Sequence, residues 1–74
     1  MLRAREEISH PEHYCAGREY EPKDVIWDWK LDFFLGNAVK YIARCGRKPG
    51  NSKVQDLEKA IQYLRYEIEK EGSR

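Results

Sequence analysis

Residues 52–72 read SKVQDLEKAIQYLRYEIEKEG, and this stretch decides the fold class. Ser52, followed three residues later by Gln55, is the signature of a capping box that opens a helix. Val54, Leu57, Ile61, Leu64 and Ile68 then recur at 3-4-3-4 spacing until Gly72 stops the pattern. That periodicity predicts a long helix with a narrow apolar seam, suited to packing on one or two partner helices.

Working back towards the N-terminus, Gly46, Pro49 and Gly50 punctuate the chain and close a second helix that Asp32 is placed to cap. Phe34, Leu35, Ala38, Val39, Ile42 and Cys45 are expected to form its buried side. Before it, Glu21-Pro22 opens a short first helix ending near Lys30, with Val25, Ile26 and Trp29 on one face. Proline suits that opening because its fixed φ fits the first helical position and its missing N–H is not needed there. Residues 1–20 read as an irregular arm, and residues 21–74 as the helical part of one domain. No run alternates with period two for long enough to argue a strand. The expected class is all-α: a three-helix domain with an antiparallel helix pair and the short first helix across one end.

Seventy-four residues bury only about 60% of the surface the unfolded chain exposes, so such a core is marginal without help. Two cysteines, Cys15 and Cys45, are too few for a disulfide framework, and no apolar run is long enough for a membrane span. Self-association is the expected helper, with Trp27, Trp29, Phe33 and Tyr66 adding apolar area beyond the seam. The same features point to the cytoplasm.

The net charge of +1 excludes nothing by itself, but its distribution is informative. Residues 1–32 hold five basic and eight acidic side chains. From Phe33 to Gln55 there are five basic ones and no acid, and from Asp56 onward five acids balance four bases. A basic block confined to the middle of the chain suggests a local anion site. It is too small for a duplex-binding surface.

Within that block Asn37, Lys40, Arg44 and Arg47 fall at i, i+3, i+7 and i+10, a stripe opposite the expected buried side with Tyr41 beside it. Cations in such a row offer several donors to phosphate oxygens, and Tyr41 offers a surface for a base or ribose. Gly36 inside the helix costs about 1 kcal/mol relative to alanine, so close approach of a backbone or ligand is expected there. The turn from Gly46 to Ser52 is not a Walker A loop. Only three residues separate its glycines instead of four, Asn-Ser replaces Lys-Ser/Thr, and no strand precedes it. In the arm, His10, His13 and Tyr14 could cover a ligand or tie the arm down. The spacing of His10, His13, Cys15 and Cys45 matches no closed zinc pattern, and no metal site is expected. On the third helix Asp56, Lys59 and Tyr63 share a face, for which an intrahelical charge pair with a half-buried tyrosine is the plain account.

Four segments, His-Pro-Glu-His-Tyr (10–14), Glu-Pro-Lys-Asp-Val-Ile (21–26), Leu-Gly-Asn-Ala-Val-Lys-Tyr-Ile-Ala-Arg-Cys-Gly-Arg-Lys (35–48) and Asp-Leu-Glu-Lys-Ala-Ile-Gln-Tyr-Leu (56–64), resemble a small phage-encoded family. That family includes the nucleotide kinase of T7-like phages. The resemblance spans roughly residues 10–70. It implies a phage or prophage protein of the bacterial host cytoplasm that handles nucleotides, with His10, His13, Tyr14, Asn37, Lys40, Tyr41, Arg44, Asp56, Lys59 and Tyr63 at the motif positions. Nucleotide binding leaves two outcomes: sequestration of a nucleotide or cyclic nucleotide-like signal, or phosphoryl transfer to a nucleoside monophosphate, for which magnesium would be the cofactor. In physical character the chain is similar to the small oligomeric sponge proteins by which phages remove nucleotide immune signals. The third helix also resembles that of all-helical nucleoside triphosphate pyrophosphohydrolases. Those enzymes need several carboxylates on paired helices, and here the second helix brings none while Glu67 and Glu71 stand near the end of the third. A structural or interaction protein without a small ligand is the remaining class.

Overall fold

A computed structural model describes residues 17–47, 49–50 and 52–73. Three helices follow in order: α1 (Pro22–Asp28), α2 (Phe33–Arg44) and α3 (Lys53–Gly72). Each begins where the sequence signals place it. The Glu21 N–H donates to Asp24 Oδ2 at 2.9 Å, with Pro22 in the first turn of α1. Asp32 Oδ1 accepts from the Leu35 N–H at 2.9 Å to cap α2. At α3 the expected capping box is complete, with the Gln55 N–H on Ser52 Oγ at 3.0 Å and the Ser52 N–H on Gln55 Oε1 at 2.9 Å.

The helix ends are equally local. Lys30 takes a left-handed φ of 56°, and the N–H groups of Lys30 and Leu31 turn back to the carbonyls of Trp27 and Ile26. This is the paired-bond stop usually given to glycine. Gly46, with φ of 73°, turns the chain out of α2.

α2 and α3 form an antiparallel hairpin, shown by the pairs that meet across it. Arg44 bonds Asp56 near the turn, Phe34 packs on Tyr66, and Asp32 bonds Lys70 at the open end. Ala38 and Ala60, 2% and 3% exposed, are the buried hydrophobic residues of the described chain, so the helices meet over small side chains. α1 lies against the N-terminal half of α2, where Ile26 Cγ2 would stand 3.3 Å from a β-carbon at Gly36. The close approach expected at this glycine is therefore made by an isoleucine side chain.

Two expectations about faces are corrected. The seam of α3 (Val54, Leu57, Ile61, Leu64, Ile68) is not the buried face towards α2 and is exposed along its length. The inward face is Asp56, Ala60, Tyr63 and Glu67, all buried or half-buried. On α2, Ile42 was expected inside and is 55% exposed, whereas Arg44 was expected outside and is 7% exposed. The physical reason is the same in both cases. The Tyr41 and Arg44 side of α2 finds complementary partners in Tyr63 and Asp56, while the aliphatic stripes find no apolar layer to cover them among the described residues. The fold is accordingly thin, with principal extents of 40 × 30 × 15 Å and a radius of gyration of 13.4 Å, against about 11 Å for a compact chain of this length.

Candidate anion site on the helix hairpin

Tyr41 of α2 stacks on Tyr63 of α3, with ring centroids 5.8 Å apart and planes 15° from parallel. Around the Tyr41 ring three cations gather from both helices. Lys40 Nζ is 4.8 Å from the centroid, Arg44 Cζ 4.6 Å and Lys59 Nζ 5.5 Å. The negative face of an aromatic ring attracts each of them, which lowers the cost of holding like charges together. Arg44 is offset by Asp56, whose side chain is fully buried and whose Oδ1 accepts from Arg44 Nε at 3.3 Å. Lys40 and Lys59 have no ion-pair partner among the described residues. The cluster thus keeps two uncompensated positive charges beside an aromatic surface.

Lys40 also stands at the edge of an open groove of about 440 Å³ between α1 and α2, lined by Pro22, Ile26, Phe33, Gly36 and Asn37. That volume falls in the range of small-molecule sites. Its walls are mostly apolar, and Asn37 spends one amide proton on the Phe33 carbonyl at 2.9 Å.

Six of the expected site residues therefore come together: Lys40, Tyr41, Arg44, Asp56, Lys59 and Tyr63. Asn37 lies one turn away in the groove. Arg47 sits beyond the end of α2, so the expected four-residue stripe is not continuous on one helix. Asp56 pairs with Arg44 across the hairpin, in place of the intrahelical pair expected with Lys59. His10, His13 and Tyr14, with Cys15, lie outside the described residues.

A second charged group went unread in the sequence. At the open end of the hairpin Asp32, Glu67 and Lys70 meet. The hydrogen bond from Lys70, followed by the Leu35 N–H, holds the Asp32 carboxyl down to about 2. Desolvation, followed by the neighbouring Asp32, pushes Glu67 up. Lys70 is raised, first by its bond to Asp32. The signal available in advance was chain order: once the hairpin is antiparallel, the start of α2 must face the end of α3.

A model of a family of proteins of unknown function, DUF3310, matches residues 8–65. The chain belongs to this family. Every residue of the Tyr41 cluster falls inside the stretch that defines DUF3310. No curated protein and no solved structure matches the chain. Among the described residues no helix is long and apolar enough to cross a membrane.

Proposed function

We propose that this chain binds a phosphorylated small molecule of the nucleotide class, with its phosphate on Lys40 and Lys59 and its organic part against Tyr41 and the adjoining groove. The observation that carries the reading is the convergence of two uncompensated lysines, one from each helix, over one stacked tyrosine. Such an arrangement supplies charge-assisted donors and a flat surface together, which is what a nucleotide requires and a merely solvated face does not. The nucleotide class, and a phage origin, rest on the resemblance of residues 10–70 to the phage nucleotide-kinase family. Sequestration without chemical change suits this set of groups better than phosphoryl transfer. The cluster offers cations and a ring, and its one carboxylate, Asp56, is engaged by Arg44. In the same reading the chain works as a homo-oligomer in which each copy carries its own cluster.

The test is calorimetry of the parent chain against mono-, di- and cyclic nucleotides, followed by recovery of the bound nucleotide after denaturation. Binding with the nucleotide returned intact supports sequestration. A transferred phosphoryl group would replace it with the kinase reading, and no heat with any ligand would overturn both.

A further inference from the structure

The described residues form a helix hairpin that carries α1 on one side, whereas a stable domain normally buries every apolar face under a packed layer. The aliphatic residues of the hairpin are arranged as though one such layer were missing. Besides the α3 seam, Leu35, Val39 and Ile42 form a stripe on α2, the first two half-buried and the third exposed. At about 100° per residue, each stripe lies roughly a third of a turn from the face its helix gives to the other, in the same rotational sense. Antiparallel helices with equal offsets carry both stripes to the same side of the hairpin. That side is therefore a continuous aliphatic face, with Val54 61% and Ile68 69% exposed at its ends. It lies opposite the side that carries α1.

We propose that this face is the interface with a second copy of the chain, joined by a two-fold axis that sets α3 antiparallel to its counterpart and closes a four-helix bundle. The register follows from charge. Glu58 and Arg65 are exposed and flank the seam on its outer edge. An antiparallel pairing that interleaves Ile61 with Leu64 of the partner copy, and Leu57 with Ile68 of the partner copy, sets Glu58 opposite Arg65 of the partner copy, twice by symmetry. The same axis then passes near Val39, because Tyr41 stacks on Tyr63 and so fixes which part of α2 is level with the middle of α3. On α2 it brings Val39 to Val39 of the partner copy and Leu35 to Ile42 of the partner copy. One symmetry operation satisfies the charges of one helix and the aliphatic stripe of the other.

The size is adequate. A face about 20 Å long and two helices wide covers roughly 400 Å² in plan, before side-chain relief is counted. That is comparable with the largest apolar patch of a typical monomer, which is often a functional surface, and it approaches the roughly 600 Å² of accessible area per partner at which stable interfaces begin. Residues 1–16 contain few aliphatic side chains (Met1, Leu2, Ala4, Ile8 and Ala16) to cover such a face.

The experiment is equilibrium sedimentation of the full chain with charge swaps at the two exposed positions. The parent is expected to dimerise at micromolar concentration. Glu58→Arg and Arg65→Glu should each weaken the dimer roughly 5- to 30-fold, by losing two pairs and gaining two repulsions. The double swap, and equally a mixture of the two single variants, should restore association. Helical content by circular dichroism checks that every variant is folded. A parent that stays monomeric at high micromolar concentration overturns the proposal and leaves the arm as the cover. Single swaps that associate like the parent overturn the register. The ligand reading stands or falls separately, since neither position belongs to the Tyr41 cluster.

Discussion

Substituting Asp56 by alanine would leave the Arg44 guanidinium buried with its carboxylate partner gone. Removing one member of a buried pair costs about 3–5 kcal/mol, because the surviving charge stays desolvated and loses that counter-charge. The whole stability of a domain this size is roughly 4–11 kcal/mol. Asp56→Ala should therefore shift the urea midpoint by about 3 M or more at a slope of about 1 kcal/mol/M, bringing the chain close to unfolded in water. The informative control is the double replacement Arg44→Met with Asp56→Leu, which removes both charges and keeps the volume filled. It should recover most of the loss, since a well-packed apolar pair commonly equals or exceeds a buried ion pair. Circular dichroism at 222 nm follows the transition, at matched protein concentration because self-association adds to apparent stability. A cost below about 1 kcal/mol for Asp56→Ala, or a double variant no better than the single one, would refute the claim that this pair holds the hairpin.

Lys40→Ala and Lys59→Ala should each weaken nucleotide binding roughly 10- to 150-fold by calorimetry while leaving the melting curve near that of the parent. Lys30→Gly should stabilise the chain by about 1 kcal/mol in urea melts, because it relieves a left-handed φ that a side chain resists. Gly36→Ala should stay within about 1 kcal/mol of the parent, its helix-propensity gain set against a β-carbon 3.3 Å from Ile26, whereas Gly36→Leu should destabilise by roughly 1–3 kcal/mol. Asp32, held down to about 2, contributes stability that is complete above its unfolded value of about 4 and is lost as pH falls through 2. Glu67, pushed up, has the opposite sign, so stability rises as pH drops through its titration. Thermal melts across pH should pass through a maximum in mild acid, and Glu67→Gln should flatten the neutral side of that curve alone.

The elements were legible in the sequence because their boundaries are written locally. Ser52 with Gln55, Asp32, Pro22 and Gly46 each act within one turn of the chain, and all four do what the sequence indicates. The facing of the helices was not legible, because α3 carries two stripes of nearly the same period. One is aliphatic (Val54 to Ile68), and the other runs through Asp56, Ala60, Tyr63, Glu67 and Lys70. A rule that puts aliphatic residues inside chooses the first, and within a single chain the choice fails. Arg44 illustrates the cost for the site. Read from its own helix it is a surface cation, and only its position across the hairpin from Asp56 shows it as a buried partner. Lys40 and Tyr41 needed no such knowledge, since basic and aromatic residues in an acid-free segment stand out wherever the helices point, whereas Lys59 lies among acids and was singled out by the resemblance alone.

Asp32 uses its two carboxylate oxygens for different neighbours: Oδ1 takes the Leu35 N–H at the start of α2, and Oδ2 takes Lys70 from the last turns of α3. One side chain is thus shared between the beginning of one helix and the end of the other. Fraying normally begins at such termini and proceeds independently at each, but here neither can unwind without releasing the other's anchor. Amide exchange at the first turn of α2 and at the last turns of α3 should then occur with one common opening rate, although nearly forty residues of chain separate Asp32 from Lys70.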